Sequence, residues 1–348
     1  MRCSTTRDER RPMARQKIAY ISRGELDTTL VKQQLAGIDY DLTFQVCMSP
    51  GETIEAVKGA DLVIGSRVPL TREVIQQMDA ARAIVTHGHG FDEIDHNAAT
   101  DEGIVVANCA GFVTEEVSNH TLMMLLGCSR RLNFSQELVR SGGWGRSKAA
   151  LPGILPTDEA VLGLVGVGNI GRAVARKAKP LGLEIIAHDP YLTPWDAREY
   201  GVGLVDTLME VAEHSDFVSI HTPLNDETRH LISGPFFKAM KPTAYIINVS
   251  RGPIIDEKAM IEALQSGEIA GAGIDVFEQE PTPADNPLLK MDNVIVTPHS
   301  AGRSDVSGIV GATRVGEEAA RVLKGMLPRS VVNPEVRGKA NLRLGSRR

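Results

Sequence analysis

Nine consecutive residues, Gly163-Leu-Val-Gly-Val-Gly-Asn-Ile-Gly171, constrain this chain more than any other stretch. They follow an apolar run, Val161 to Val167, and open a helical pattern reaching about Lys179, so the G-x-G-x-x-G spacing of Gly166, Gly168 and Gly171 falls on a strand-to-helix turn. Gly166 permits a tight turn, Gly168 lets a pyrophosphate approach the backbone, and Gly171 allows close helix packing. The helix N-terminus, with Asn169 and Ile170 in its first turn, offers free N–H groups and a positive dipole end to an anion. The next strand ends at Asp189, 21 residues past Gly168, where an acid can accept hydrogen bonds from the ribose hydroxyls of a dinucleotide. The same carboxylate would repel a ribose 2′-phosphate by about 4 kcal/mol at close contact and an effective dielectric near 20. Pro190, Tyr191 and Leu192 follow it, none of them a cation, so NAD is expected over NADP.

This turn belongs to the second of two α/β series. In the first, β-branched runs at Lys17 to Ser22, Leu42 to Val46, Leu62 to Gly65, Ala83 to Thr86 and Ile104 to Ala107 alternate with helical patterns, the signature of a parallel sheet. Thr71 is placed to cap the helix that carries Val74, Ile75 and Met78. A longer helix, Glu115 to about Leu132 with Thr114 as its cap, then leads through the Gly/Trp/Pro-punctuated stretch Ser141 to Pro156 to the second series. Six strands are expected there: Val161 to Val167, Glu184 to His188, Phe217 to Ile220, Tyr245 to Val249, Gly273 to Val276 and Val294 to Thr297. The last helical pattern, Ile309 to Leu323, has no strand left to serve in that sheet and is expected to return to the first. A chain of 348 residues also exceeds what one core usually supports. The expected fold is therefore α/β with two domains, each built on a parallel sheet. A Rossmann-type NAD-binding domain at 115–304 is inserted in a discontinuous, flavodoxin-like substrate-binding domain at 13–114 and 305–334. Residues 1–12 and 335–348 are expected to be flexible tails, with Met13 an alternative start.

Composition excludes several function classes. The net charge of −6 is spread along the chain, which argues against a nucleic-acid partner and favours small-molecule chemistry. Cys3, Cys47, Cys109 and Cys128 form no C-x-x-C pair, so neither a disulfide framework nor a metal site is suggested and a cytoplasmic setting is expected. The most apolar stretch, Thr121 to Cys128, is well short of the roughly 20 residues that cross a bilayer, so no membrane partner is expected.

The chemistry is expected at the carboxyl ends of the later strands, where open α/β sheets place their ligands. Asn248-Val-Ser-Arg-Gly252, Ile274-Asp-Val-Phe-Glu-Gln-Glu-Pro281 and Thr297-Pro-His-Ser-Ala-Gly302 each bring an ionisable group. Hydride addition to a ketone leaves charge on oxygen and calls for a proton donor titrating near neutrality, for which His299 is the candidate. Glu280 would favour the protonated imidazole and fix its orientation. Arg251, a planar fork of donors, suits a substrate carboxylate and can polarise the adjacent carbonyl. Each alone reads as an ordinary surface or loop residue; the combination favours catalysis. His221 is read as structural or near adenine, and no role is assigned to His188 or His230.

With these stretches, and with His87-Gly-His-Gly-Phe-Asp-Glu-Ile-Asp95, Val113-Thr-Glu-Glu-Val117 and His221-Thr-Pro-Leu-Asn225, the chain resembles the D-isomer-specific 2-hydroxyacid dehydrogenases from about Lys17 to Pro334. That family includes D-3-phosphoglycerate dehydrogenase, glyoxylate and hydroxypyruvate reductases and D-lactate dehydrogenase. The resemblance implies NAD-dependent, reversible reduction of a 2-keto acid to a D-2-hydroxy acid, with Arg251, Glu280 and His299 catalytic. It implies cofactor contacts from Thr114, Gly166, Gly168, Asn169, Ile170, Gly171, Asp189, Thr222, Val249, Ser250, Arg251, Asp275, His299 and Gly302. It further implies substrate contacts from Gly88, His89, Arg251 and His299, and a homodimer built on the long helix after Thr114. His89 stands where the family often has an apolar residue, which is expected to alter the size or charge of the preferred substrate. An NAD(H)-sensing, corepressor-like binding protein of the same fold is the competing reading, and it does not need the Glu280 and His299 pair. Formate dehydrogenases replace that pair, and phosphite dehydrogenases carry lysine where His89 stands.

Overall fold

The computed structural model describes residues 15–146 and 154–345. The expected N-terminal tail, Met13 and part of the 141–156 stretch lie outside the described residues. The chain divides into two compact units, 1–110 with 308–348, and 111–307.

The discontinuous unit holds five parallel strands: β1 (Gln16–Ser22), β2 (Tyr40–Val46), β3 (Leu62–Ser66), β4 (Ala83–Thr86) and β5 (Val105–Ala107), in the order β2-β1-β3-β4-β5. β1, β3, β4 and β5 read as near-continuous apolar runs because parallel sheets are covered on both faces. Ala19, Ile21, Val63, Ile84 and Val106 share one buried cluster with Val57, Val74 and Ile75 from the helices. The helix Pro50–Val57 starts at a reciprocal cap in which Ser49 and Glu52 satisfy one another's backbone N–H. Thr71 occupies the N-cap position of Arg72–Gln76, but its side chain makes no capping bond. The helix Ser307–Leu323, from Gly308 onward, belongs to this unit, and Gly316 lies against Gln34.

Residues 335–345 depart from the expectation of a flexible tail, and 346–348 lie outside the described residues. Asn333 accepts from Val106 N at 2.8 Å and donates to Ile104 O at 3.0 Å, and a short turn at Pro334–Gly338 follows. Arg343 then reaches the Met78 carbonyl at 2.5 Å and Glu102 at 2.9 Å. A guanidinium that satisfies a carbonyl at a helix end and pairs with an acid holds its segment in place.

The continuous unit carries seven parallel strands rather than six: β6 (Val161–Val165), β7 (Glu184–His188), β8 (Gly203–Leu204), β9 (Phe217–Ile220), β10 (Tyr245–Asn248), β11 (Gly271–Ile274) and β12 (Val294–Val296). Their order is β12-β11-β10-β9-β6-β7-β8. The additional strand is β8, two residues long at the edge. The six strands from β8 to β11 have the doubly wound dinucleotide-binding order, with β12 extending it, and strand order reverses between β6 and β9. The long helix spans Thr114–Ser129, so Thr114 is its first helical residue and Val113 its N-cap, one position from the expected boundary. Val117, Met124, Leu125 and Cys128 face the core beneath β6 and β10.

Candidate functional site

The dinucleotide turn sits at the switch point. Gly166 adopts φ 91°, and a Cβ there would lie 2.9 Å from the Thr222 methyl. At Gly171 a Cβ would lie 2.5 Å from the Gly166 carbonyl oxygen, so only glycine lets the helix Asn169–Ala178 pack on its own turn. At Gly168 nothing would stand within 4 Å of a Cβ, which leaves the backbone open to a ligand. The helix begins without a side-chain cap, so its first N–H groups remain available to an anion. Asp189 is fixed at the mouth by Val167 N at 2.8 Å and Tyr191 N at 2.9 Å. Thr222 Oγ1 and His221 Nδ1 are buried without hydrogen-bond partners among the described residues, while Ser250 Oγ donates to the Thr222 carbonyl. Burial pushes the His221 imidazole down to about 3, so it stays neutral. Open backbone, uncapped helix, anchored acid and an orphaned hydroxyl beside the turn fit a dinucleotide.

Three loops at the ends of β10, β11 and β12 form the second part. Asn248 shapes the first, accepting from Ser250 N at 3.0 Å and donating to Arg251 O at 2.9 Å. At Gly252 this loop presses against the second: a Cβ would fall 1.9 Å from the Phe277 carbonyl oxygen, so only a residue without one lets Arg251 approach Glu280. Glu280 accepts from Phe277 N at 3.0 Å through one oxygen and faces His299 Nδ1 at 2.7 Å through the other. Burial pushes its carboxyl up, but the His299 bond and charge, the Phe277 N–H and the Arg251 charge together hold it below the usual value. Glu280 is therefore the anionic member of the pair at neutral pH. His299 is 49% exposed on its side chain, leaving it accessible, and has a left-handed backbone at φ 50°.

That backbone is held by Asp275, whose side chain is fully buried. Its carbonyl accepts from His299 N at 2.7 Å, and its carboxylate accepts from Thr297 Oγ1 at 2.5 Å, Ser300 N at 2.8 Å and Ala301 N at 2.9 Å. The structure thus brings Arg251, Glu280 and His299 together. Thr114, Asn169, Ile170, Thr222, Val249, Ser250 and Gly302 all lie in the same unit, with Gly302 against the Val113 side chain. Gly88 and His89 lie in the discontinuous unit just past β4, where Gly88 O accepts from Cys109 N at 2.9 Å and His89 O from Asn108 Nδ2 at 2.6 Å. Sequence reasoning missed Asn248, Thr297 and His120. Thr297 sat inside a quoted motif, whereas a single histidine on a helix carries no signal of its distant partner. Among the described residues no cluster of His, Cys, Asp and Glu could hold a metal, and no helix is long and apolar enough to cross a membrane.

The fold and the turn define a dinucleotide-binding protein of the doubly wound class. Residues 122–301 match the family model of the D-isomer specific 2-hydroxyacid dehydrogenase, NAD binding domain. The chain is 40% identical over 283 residues to a D-3-phosphoglycerate dehydrogenase of Methanocaldococcus jannaschii, covering 81% of this chain and 53% of that protein. It is 39% identical over 288 residues to a glyoxylate reductase of Korarchaeum cryptofilum, covering 81% and 86%. The chain thus spans about half the length of the first relative and most of the second. A D-lactate dehydrogenase from Aquifex aeolicus, solved with NAD and lactic acid, superimposes with a TM-score of 0.79 at 26% identity, covering 91% of this chain and 99% of that one. The chain belongs to the D-isomer specific 2-hydroxyacid dehydrogenases, and it carries their NAD-binding domain.

Proposed function

We propose that the protein is an NAD-dependent oxidoreductase that interconverts a 2-keto acid and its D-2-hydroxy acid. The observation that carries this reading is the 2.7 Å contact of a half-exposed His299 with an anionic Glu280, on which Arg251 also acts. When bound, NADH supplies the hydride. Arg251 offers paired N–H donors to the substrate carboxylate and draws electron density from the neighbouring carbonyl. His299 gives a proton to the oxygen as charge develops there, and Glu280 stabilises the imidazolium that donates it. In the reverse direction His299 takes the hydroxyl proton back. The unit at 111–307 binds the dinucleotide and the discontinuous unit supplies substrate contacts, with the carboxylate received by the backbone at Gly88 and His89. The Asp189 carboxylate disfavours a 2′-phosphate, so NAD is preferred over NADP. Thr114, Thr222, Val249, Ser250, Asp275 and Gly302 complete the cofactor contacts.

The substrates that the reading favours are 3-phosphohydroxypyruvate, glyoxylate and hydroxypyruvate, matching the activities named for the relatives. A homodimer in the cytoplasm is the expected setting. The test is NADH oxidation followed against a panel of these acids, with NADPH in parallel. Turnover of at least one acid, faster with NADH, is expected. NADH-dependent capture of a protein partner with no oxidation across the panel would instead indicate a dinucleotide-sensing binding protein, and equal rates with NADPH would overturn the cofactor preference.

A further inference from the structure

Asp275 is a fully buried carboxylate, and its oxygens bond to Thr297 Oγ1, Ser300 N and Ala301 N, the residues flanking His299. A histidine from outside that loop approaches it. His120, on the helix Thr114–Ser129, places Nε2 2.9 Å from Thr297 Oγ1 and 3.7 Å from Asp275 Oδ1. Hydrogen accounting fixes the direction of this relay. A hydroxyl has one hydrogen, and Thr297 gives it to the carboxylate at 2.5 Å, so the same oxygen must accept at the 2.9 Å contact and His120 Nε2 must carry the proton.

We infer that His120 is a positioning residue for His299, acting through Thr297 and Asp275 to hold the loop 297–301 in the one arrangement that turns the imidazole toward Glu280. Burial lowers the His120 imidazole and Asp275 raises it, burial prevailing, so a neutral ring with its proton on Nε2 suffices for the donation. A left-handed backbone at a residue other than glycine persists only when its surroundings over-determine it, and the four hydrogen bonds that Asp275 accepts from residues 297, 299, 300 and 301 provide that. Without the His120 donor, Thr297 is free to turn its hydroxyl from Asp275 to another acceptor. The clamp then loses one of its ties, and His299 moves relative to Glu280. Catalytic geometry tolerates little of this, since a shift of about 1 Å can cost on the order of 100-fold in rate.

The inference rests on the proposed function for its kinetic arm only. In His120→Ala, kcat is expected to fall about 10-fold or more, with KM and NADH affinity within about 2-fold of the wild type. His120→Gln, which keeps a donor at a comparable reach, is expected to restore most of the loss. Thr297→Val should reproduce the His120→Ala effect, and the double variant should be no worse than either alone. The arm independent of turnover is the downfield proton resonance of the imidazole N–H that faces Glu280, assigned by its disappearance in His299→Gln. It is expected to broaden or shift in His120→Ala and to return in His120→Gln. An unchanged resonance in His120→Ala, or equal impairment of the Ala and Gln variants, overturns the inference. Absence of wild-type turnover on every acid overturns the proposed function instead, and the resonance then decides the role of His120 by itself.

Discussion

The two parallel sheets end in different chemistry. Past the strands of the continuous unit, His299 and Glu280 are paired yet substantially exposed, and Glu280 is held in its charged form. In the discontinuous unit one group of titratable side chains, Tyr20 within β1, His87 past β4 and Cys109 past β5, is held neutral by burial. Tyr20 is fully buried and hydrogen-bonded to His87 Nδ1, with burial and then the nearby Cys109 raising its phenol. Burial, with a smaller contribution from Arg67, lowers His87, and burial drives the Cys109 thiol up to about 12. Solvent access separates the two sets. A group that keeps a charge partner and an opening can exchange protons near neutrality, whereas one sealed by its neighbours serves as a fixed dipole.

The sharpest way to break this contrast is to remove the exposed set. His299→Ala or Arg251→Ala is expected to lower turnover by about 100-fold to 10,000-fold with NADH binding largely retained, as read by steady-state kinetics beside a fluorescence titration. Unchanged turnover in both would place the chemistry elsewhere. Gly252→Ala should come next, because its Cβ would drive the loop of Arg251 away from Phe277. Turnover is expected to fall by roughly 100-fold and the melting temperature to drop, since overpacking against backbone costs about 1–3 kcal/mol.

Glu280→Gln should cost less, about 10-fold in turnover if general-acid efficiency follows the strength of the charge partner. It also carries a signed pH dependence. A carboxyl held below its ordinary value near 4.5 contributes stability above that value and loses the contribution as pH falls through the lower, folded value. The melting-temperature difference between wild type and Glu280→Gln is therefore expected to shrink from pH 6 toward pH 3, and a difference that widened would contradict the assignment. The smallest effect on rate is expected at Tyr20→Phe, which leaves His87 Nδ1 without its hydrogen-bond partner. It should cost about 1–3 kcal/mol in urea unfolding while turnover stays within about 3-fold, marking the buried pair as structural.

Much of this was legible in the residues. The glycine turn and Asp189 could be read because their geometry is local: spacing, a strand before and a helix after. Arg251, Glu280 and His299 could be placed because each follows a short apolar run, and strand ends in such sheets converge. The helical pattern Ile309 to Leu323 was expected to return to the first domain because the second sheet had no strand left for it. What escaped was short or distant. β8 is only two residues long and has no period to detect. His120 meets Asp275 and Thr297 across 155 and 177 residues, and nothing near it in the chain announces them. Arg343 looked like one cation in a basic tail because its partners, Met78 and Glu102, lie more than 240 residues upstream. The Thr114 boundary slipped by one position because a threonine ahead of two acids reads equally well as a cap or as the first helical residue.

The chain leaves the first sheet after residue 110 and returns to it at residue 308, which orders events during synthesis. Everything the dinucleotide-binding unit needs lies in one uninterrupted span, so it can complete its core as soon as that span emerges from the ribosome. The other unit must wait with five strands already made, because Val106 N takes Asn333 as its acceptor and β5 bridges Val331. Its older half therefore stands incomplete, with apolar surface uncovered, while nearly two hundred residues are added.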